Sequence, residues 1–161
     1  MGKKTLIFGA TGAVGSSLSK LLKDESLEAH LVGKNEEEVS RLAGETGFEY
    51  SVADVLEENF LEKIQQDLGG TDISGIAYCV GSINFKPINL ITKKDMLDCF
   101  SLNLFPVYEI IKKFQTNLKK NKGSVVLFST VAVKQGFPNH SIISPVKASL
   151  EGLTVSLASE M

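Results

Sequence analysis

The sequence predicts an α/β fold, a doubly wound parallel sheet of five strands with helices over both faces. Three observations carry this. Short apolar runs alternate with longer segments of helical period along the whole chain. The apolar runs lack the polar alternation of a one-sided sheet, as strands buried on both faces do. No tight hairpin signal joins any two of them, so the connections are crossovers, and these are right-handed.

The elements follow in order. Thr5 to Phe8 reads as a buried strand, and Ala13 to Lys23 as a helix with Val14, Leu18, Leu21 and Leu22 inward. Ala29 to Val32 is the second strand. Asn35 caps the next helix, with Glu38 at the capping-box position. Phe48 to Val52 is the third strand, and the helix after it turns Phe60, Leu61, Ile64 and Leu68 inward. Ile73 to Val80 is the fourth. Thr92 and Asp95 form a second capping box, opening one long helix with Met96, Phe100, Leu104, Val107, Ile111, Phe114 and Leu118 on its inner side. Pro106 should kink it, because proline has no N–H for the carbonyl of Leu102. Gly123 ends it before the fifth strand, Ser124 to Ser129, and a last helix runs from about Ser141.

A chain of 161 residues fits one domain, residues 1–161, whose 43% hydrophobic content suffices for a core. The formal charge of −2 gives no electrostatic draw toward nucleic acid or an anionic membrane. No apolar run is long enough to cross a bilayer. The first strand pattern begins at once, which leaves no room for a signal peptide. Cys79 and Cys99 lie in apolar surroundings without ligand spacing. They read as reduced thiols of a cytoplasmic protein, with no metal site expected.

The informative motif is Gly9-Ala10-Thr11-Gly12-Ala13-Val14-Gly15, between the first strand and the first helix. A dinucleotide pyrophosphate needs a tight turn, close backbone approach and free N–H groups at a helix start. Gly9 supplies the turn, Gly12 the approach, and Gly15 the contact between helix and strand. This position makes the fold of the Rossmann type with a nicotinamide dinucleotide as ligand; the alternative is a glycine-rich turn without one. The second strand ends at Gly33-Lys34. An NAD site wants an acid there for the ribose 2′-hydroxyl, whereas Lys34 offers a cation to a 2′-phosphate. NADP is therefore expected, with NAD possible.

These residues, with others in order, resemble the short-chain dehydrogenase/reductase family over the whole chain. Asp54-Val55 looks like the family's adenine-contacting pair. Tyr78-Cys79-Val80-Gly81 stands where the family has Asn-Asn-Ala-Gly, keeping the glycine. Asn103 matches the active-site asparagine. Ser129-Thr130-Val131-Ala132, Gly136-Phe137-Pro138, Lys147 and Gly152-Leu153-Thr154 complete the pattern. The resemblance implies hydride transfer between a nicotinamide and a carbonyl or alcohol. Its cofactor contacts are Gly9, Thr11, Gly12, Ala13, Val14, Gly15, Lys34, Asp54, Val55, Val80, Gly81, Asn103 and Lys147. It also implies a homo-oligomer and no metal.

The family works with a serine, a tyrosine and a lysine. Counting back from Lys147 puts the tyrosine position at Ile143 and the serine position at Thr130. Threonine donates a hydroxyl hydrogen bond, but isoleucine carries no proton. His140 falls with Ile143, Ser144 and Lys147 on one helical face by three- and four-residue spacing. Imidazole titrates near neutrality, so His140 is the candidate replacement donor beside Thr130, Lys147 and Asn103. Pro145 sets the start of that helix in question, and with it the shared face. The alternative function is a redox-silent dinucleotide-binding sensor or regulatory protein. Relatives continue past the last helix, so the chain is expected to be a fragment, incomplete at its C-terminus.

Overall fold

The computed structural model describes residues 2–161. It contains a five-stranded sheet in the order β3-β2-β1-β4-β5, formed by β1 (Lys4–Phe8), β2 (Ala29–Gly33), β3 (Glu49–Val52), β4 (Ile73–Tyr78) and β5 (Ser124–Leu127). β1 pairs in parallel with β2 and β4, and β2 with β3. The helices are α1 (Ala13–Asp24), α2 (Glu36–Thr46), α3 (Phe60–Leu68), α4 (Lys93–Asn103), α5 (Phe105–Asn121) and α6 (Ile143–Glu160). The doubly wound α/β expectation is met.

The chain forms two compact units. The first runs through Val80 and takes in Ile110–Val126. Leu6, Ile7 and Phe8 of β1 are all fully buried, so both faces of the central strand are covered. Ile7 and Ala10 cluster with Ala29 and Leu31 of β2 and with Val39, Leu42 and Ala43 of α2. Phe60, Leu61, Ile64 and Leu68 are buried along α3, as its period predicts. The Asn35 side chain accepts from Glu38 N at 3.1 Å and caps α2. Chain order reverses between β1 and β4, so crossovers leave β1 on both sides, and this switch point is where sheets of this kind bind ligands.

Helix α1 corrects one expectation. Val14 is 49% exposed and Leu21 56% exposed, rather than inward. Gly15 and Ser19 face the sheet instead, with Leu18 and Leu22 packed beside them. Hydrophobicity did not set the rotation. The close approach of Gly15 to the β1 exit did, and at 100° per residue that choice turns Val14 and Leu21 out.

The second unit comprises Gly81–Glu109 and Leu127–Met161. Its core joins Cys99 of α4 to Ile142, Ile143 and Val146, with Ile91, Met96 and Phe100 packed around them. Thr92 caps α4 in a full capping box with Asp95. The single long helix expected here is two helices, interrupted at Leu104 (φ −121°, ψ −52°). Pro106 is the cause, since its ring excludes the helical path of the preceding turn. Helix α6 begins at Ile143, not Ser141, and Pro145 falls in its first turn, where no N–H is required. His140 therefore precedes the helix, and the helical face it was expected to share with Ile143, Ser144 and Lys147 does not exist.

His30 of β2 is fully buried. Its Nε2 lies 2.8 Å from Ser51 Oγ on β3, and its Nδ1 has no partner among the described residues. Burial first, then Lys4, lowers its pKa from 6.5 to about 4. Between these values the unfolded chain binds the extra proton, so stability is complete above about 6.5 and falls as pH drops toward 4. Acidifying from about pH 7 to about pH 5 should cost ~2 kcal/mol through this residue alone. Urea melts at both pH values should show that loss, and His30→Gln should remove most of it; an unchanged slope would refute the assignment.

Candidate functional site

The first unit contributes the loop between β1 and α1. Gly9 has φ +72°, a left-handed conformation that side chains resist. A Cβ there would also lie 3.0 Å from the backbone at Cys79 and Val80. The loop is pinned by Gly9 N and Ala10 N, which both donate to Val32 O, and by Gly12 N, which donates to Gly9 O. Gly15 passes so close that a Cβ would fall 2.3 Å from Gly9 O. Gly12 stands at the N-cap of α1 with no side-chain cap. Gly12, Ala13 and Val14 are exposed, so the first N–H groups of α1 face outward without a protein acceptor from a capping side chain. The exposure that removes Val14 from the core leaves it beside them.

At the end of β2 the space is tight: a Cβ on Gly33 would sit 3.2 Å from Val39 Cβ and 3.4 Å from Thr11 Cγ2, so a side chain there requires these neighbours to shift by a few tenths of an ångström. Lys34, the next residue, is exposed. After β3, Ala53 N donates to Gly33 O, and Asp54 accepts from Leu56 N at 3.0 Å in a short turn. Val55 is buried and Asp54 half-buried.

The second unit contributes a separate cluster. Asn103, fully buried, ends α4 and donates from Nδ2 to Cys99 O at 2.9 Å. Its Oδ1 has no partner among the described residues. That oxygen lies 3.0 Å, and Lys147 Nζ 3.5 Å, from where a Cβ on Gly81 would be. An unsatisfied acceptor and an ammonium thus converge over a bare glycine. Partial burial pushes the Lys147 ammonium below its ordinary pKa, while nearby Cys99 pulls the other way. Burial raises the Cys99 thiol, and the lysine partly offsets it.

Thr130 Oγ1 accepts from Ala132 N at 3.3 Å, capping a 3-10 turn at Val131–Val133. Its hydroxyl hydrogen stays available. The neighbouring Ser129 instead donates to Glu151 Oε1 at 2.7 Å, and Glu151 also holds Lys134 at 3.0 Å. Of the two adjacent hydroxyls, only Thr130 remains open for a substrate oxygen. Ser144 donates to Ala132 O at 2.7 Å, tying the start of α6 to the Thr130 turn, a positioning role that spacing did not reveal. Ile143 is buried in the apolar cluster and adds no polar atom. His140 Nδ1 lies 2.8 Å from Pro138 O, which fixes the proton on Nδ1 and leaves Nε2 to exchange.

Both clusters fit a nicotinamide dinucleotide. One is a glycine cradle that side chains would fill, and the other holds an orphaned amide oxygen and a half-buried cation. A sequence profile described as short chain dehydrogenase matches residues 3–161. The chain belongs to the short-chain dehydrogenase family. Membership ranks it with NAD(P)-dependent oxidoreductases of carbonyl and alcohol groups. A 3-oxoacyl-[acyl-carrier-protein] reductase of Bos taurus is 25% identical over 100% of this chain and 70% of its own length. Carbonyl reductase family member 4 of Danio rerio is 28% identical with the same coverage. A short-chain dehydrogenase/reductase structure from Saccharomyces cerevisiae superposes with a TM-score of 0.92 at 23% identity, covering 99% of this chain and 66% of that one. The chain thus spans about two thirds of these relatives. No helix among the described residues is long and apolar enough to cross a membrane.

The glycines of the loop should separate on mutation. Gly15→Ala forces a backbone clash and should lower stability by roughly 1–3 kcal/mol. A Cβ on Gly12 meets only Gly9 O, at 3.4 Å, so Gly12→Val should stay within about 1 kcal/mol of the parent. Denaturant melts of the two variants decide this, and equal stabilities would contradict the loop geometry.

Proposed function

We propose that this chain is the dinucleotide-binding and catalytic part of an NADP(H)-preferring carbonyl reductase, running in reverse as an alcohol dehydrogenase. The observation that carries the reading is the convergence of Asn103 Oδ1 and Lys147 Nζ over Gly81. Lys147 would hold ribose hydroxyls, with Asn103 and Gly81 beside it. Gly9, Thr11, Gly12, Ala13, Val14 and Gly15 would take the pyrophosphate, and Asp54 and Val55 the adenine. Lys34, next to a tightly packed glycine where an NAD site would carry an acid, would face the 2′-phosphate.

A bound reduced nicotinamide supplies a hydride to the carbonyl carbon and is left oxidised. Thr130 orients the carbonyl oxygen by donating its hydroxyl hydrogen, and that oxygen gains a proton as the C=O bond becomes an alcohol. His140 is the donor in this reading, from Nε2 of its imidazolium, because Ile143 cannot serve. The bovine 3-oxoacyl-[acyl-carrier-protein] reductase and the Danio rerio carbonyl reductase family member 4 support, by their names, a carbonyl substrate. The exposed apolar side chains Leu97, Phe105 and Tyr108 support self-association. Free thiols at Cys79 and Cys99 support a reducing, cytoplasmic setting. The buried Ile143 favours a second reading, a dinucleotide binder without turnover.

Two measurements test this. Titration should show NADPH binding tighter than NADH, with Lys34→Ala erasing the preference and Gly12→Val weakening both by about tenfold or more. Equal affinities in the parent would end the NADP assignment. With ethyl acetoacetate as substrate, His140→Ala should lower kcat by ~10²–10⁴. A His140→Ala variant as active as the parent removes the donor role. A parent that binds NADPH and reduces nothing establishes the redox-silent reading instead.

A further inference from the structure

The second unit carries an aromatic shelf that dinucleotide binding leaves unused. Phe137, Pro138, Asn139 and His140 form a tight turn, with Asn139 left-handed (φ 63°) and His140 N donating to Phe137 O at 3.4 Å. The bond between His140 Nδ1 and Pro138 O fixes the imidazole on this turn. Lys86 N donates to Asn139 O at 3.1 Å, fastening the segment after Gly81 alongside. That bond brings in Phe85. Its ring centroid lies 4.7 Å from that of His140, tilted by 58°, and the Phe137 centroid lies 5.3 Å away, tilted by 44°.

These rings are held in place yet lack cover. Phe85 is 58% exposed, Phe137 39%, and Ile83 and Ile88 of the same segment are exposed as well. Large apolar side chains left in water forgo the free energy of burial, so an occupant here gains by covering them. Tilted rings at 4.7–5.3 Å present the faces and edges that a third aromatic ring prefers. The charges beside the shelf are neutralised. Lys86 is paired with Asp95 at 2.7 Å, and Lys134 with Glu151 at 3.0 Å. An anionic carrier group finds no unpaired cation on either segment at Lys86 or Lys134.

We propose that Phe85, His140 and Phe137 form a substrate subsite, and that the substrate is an uncharged aryl or aryl-conjugated ketone whose ring lies on this shelf. The carbonyl end of this assignment rests on the reductase reading above. The ring-binding end stands without turnover. Phe85 and Phe137 are specificity determinants here. His140 packs against the ring, and in the reductase reading its Nε2 would also serve the carbonyl.

The test measures binding to the 161-residue chain by calorimetry, with propiophenone, 2-nonanone of equal carbon count, and acetoacetyl-coenzyme A as probes. Propiophenone should bind tightest. Phe85→Leu and Phe137→Leu keep apolar bulk but remove a ring. Each should weaken propiophenone about three- to tenfold and leave 2-nonanone within about twofold. On the parent, added propiophenone should shift the His140 ring proton resonances by its ring current, a readout that needs no variant to fold. Propiophenone that fails to bind, binds no better than 2-nonanone, or leaves the His140 resonances unmoved overturns the proposal. Tighter binding of acetoacetyl-coenzyme A does so too. Reduction of ethyl acetoacetate separates the two readings. A chain that reduces it without ring-dependent propiophenone binding keeps the reductase and loses the shelf. A chain that binds propiophenone through both rings yet reduces no ketone keeps the shelf and loses the reductase.

Discussion

Helix α1 lies so close to the exit of β1 that no side chain fits between Gly15 and the Gly9 carbonyl. Much of the first unit follows from that contact. It fixes the rotation of α1, which sends Ser19 into the core and Leu21 into solvent. It holds Gly9 in its left-handed turn, where backbone and not side chain faces Cys79 and Val80. It also leaves the first N–H groups of α1 outward, at the point where strand order reverses. A phosphate-binding loop needs all three conditions at once, and here one close approach sets them together.

The second unit has its own organising constraint, the break at Leu104 forced by Pro106. With α4 ending at Asn103, the asparagine side chain folds back on Cys99 and its amide oxygen is left without a partner. A buried carbonyl oxygen lacking a hydrogen bond costs free energy that a ligand or a water recovers. Lys147 faces the same place with its ammonium partly desolvated. Both groups gain from hydroxyl ligands, which donate to the oxygen and accept from the ammonium. Gly81 keeps the space between them open.

Strand and helix identities were legible because they rest on period, and the five-strand order follows from crossovers that leave few topologies. Helix rotation was not legible where a glycine contact outranked the apolar stripe, as at Val14 and Leu21. Nor was the start of α6, because Pro145 is compatible with either the first turn or a bend, and His140 moved from helix to turn as a result. The candidate site residues were found by motif spacing, which names positions but not partners. Ser129 and Thr130 look alike in sequence; the Glu151 carboxylate, 22 residues on, distinguishes them by engaging the first. Phe85 lies 55 positions from His140 in the chain, and only the Lys86–Asn139 backbone bond brings the segments together.

The replacement of a tyrosine by Ile143 bears on binding and proton supply differently. The isoleucine joins Cys99, Ile142 and Val146 in a dry cluster at the foot of α6, so at this position the helix that carries Lys147 is anchored by apolar contact, beside the Ser144 bond to Ala132 O. A phenol at that place would share the lysine's charge, and its absence leaves the ammonium entirely to whatever hydroxyls a ligand presents. Dinucleotide affinity therefore does not require the missing group. Proton delivery does. Among the described residues the candidate is His140, whose Nδ1 is held by Pro138 O so that Nε2 is left to exchange, on a ring set between two aromatic faces on the segment that follows Thr130. In the proposed reading, proton donor and apolar shelf are the same side chain, so a substrate that covers the shelf would also exclude water from the imidazole. Cover of the imidazole and reach of its Nε2 to the carbonyl oxygen then compete on one ring, which makes turnover a compromise between ring burial and proton supply. An aryl ketone small enough to leave Nε2 facing its oxygen satisfies both, and a bulkier ring system would bind well and react slowly.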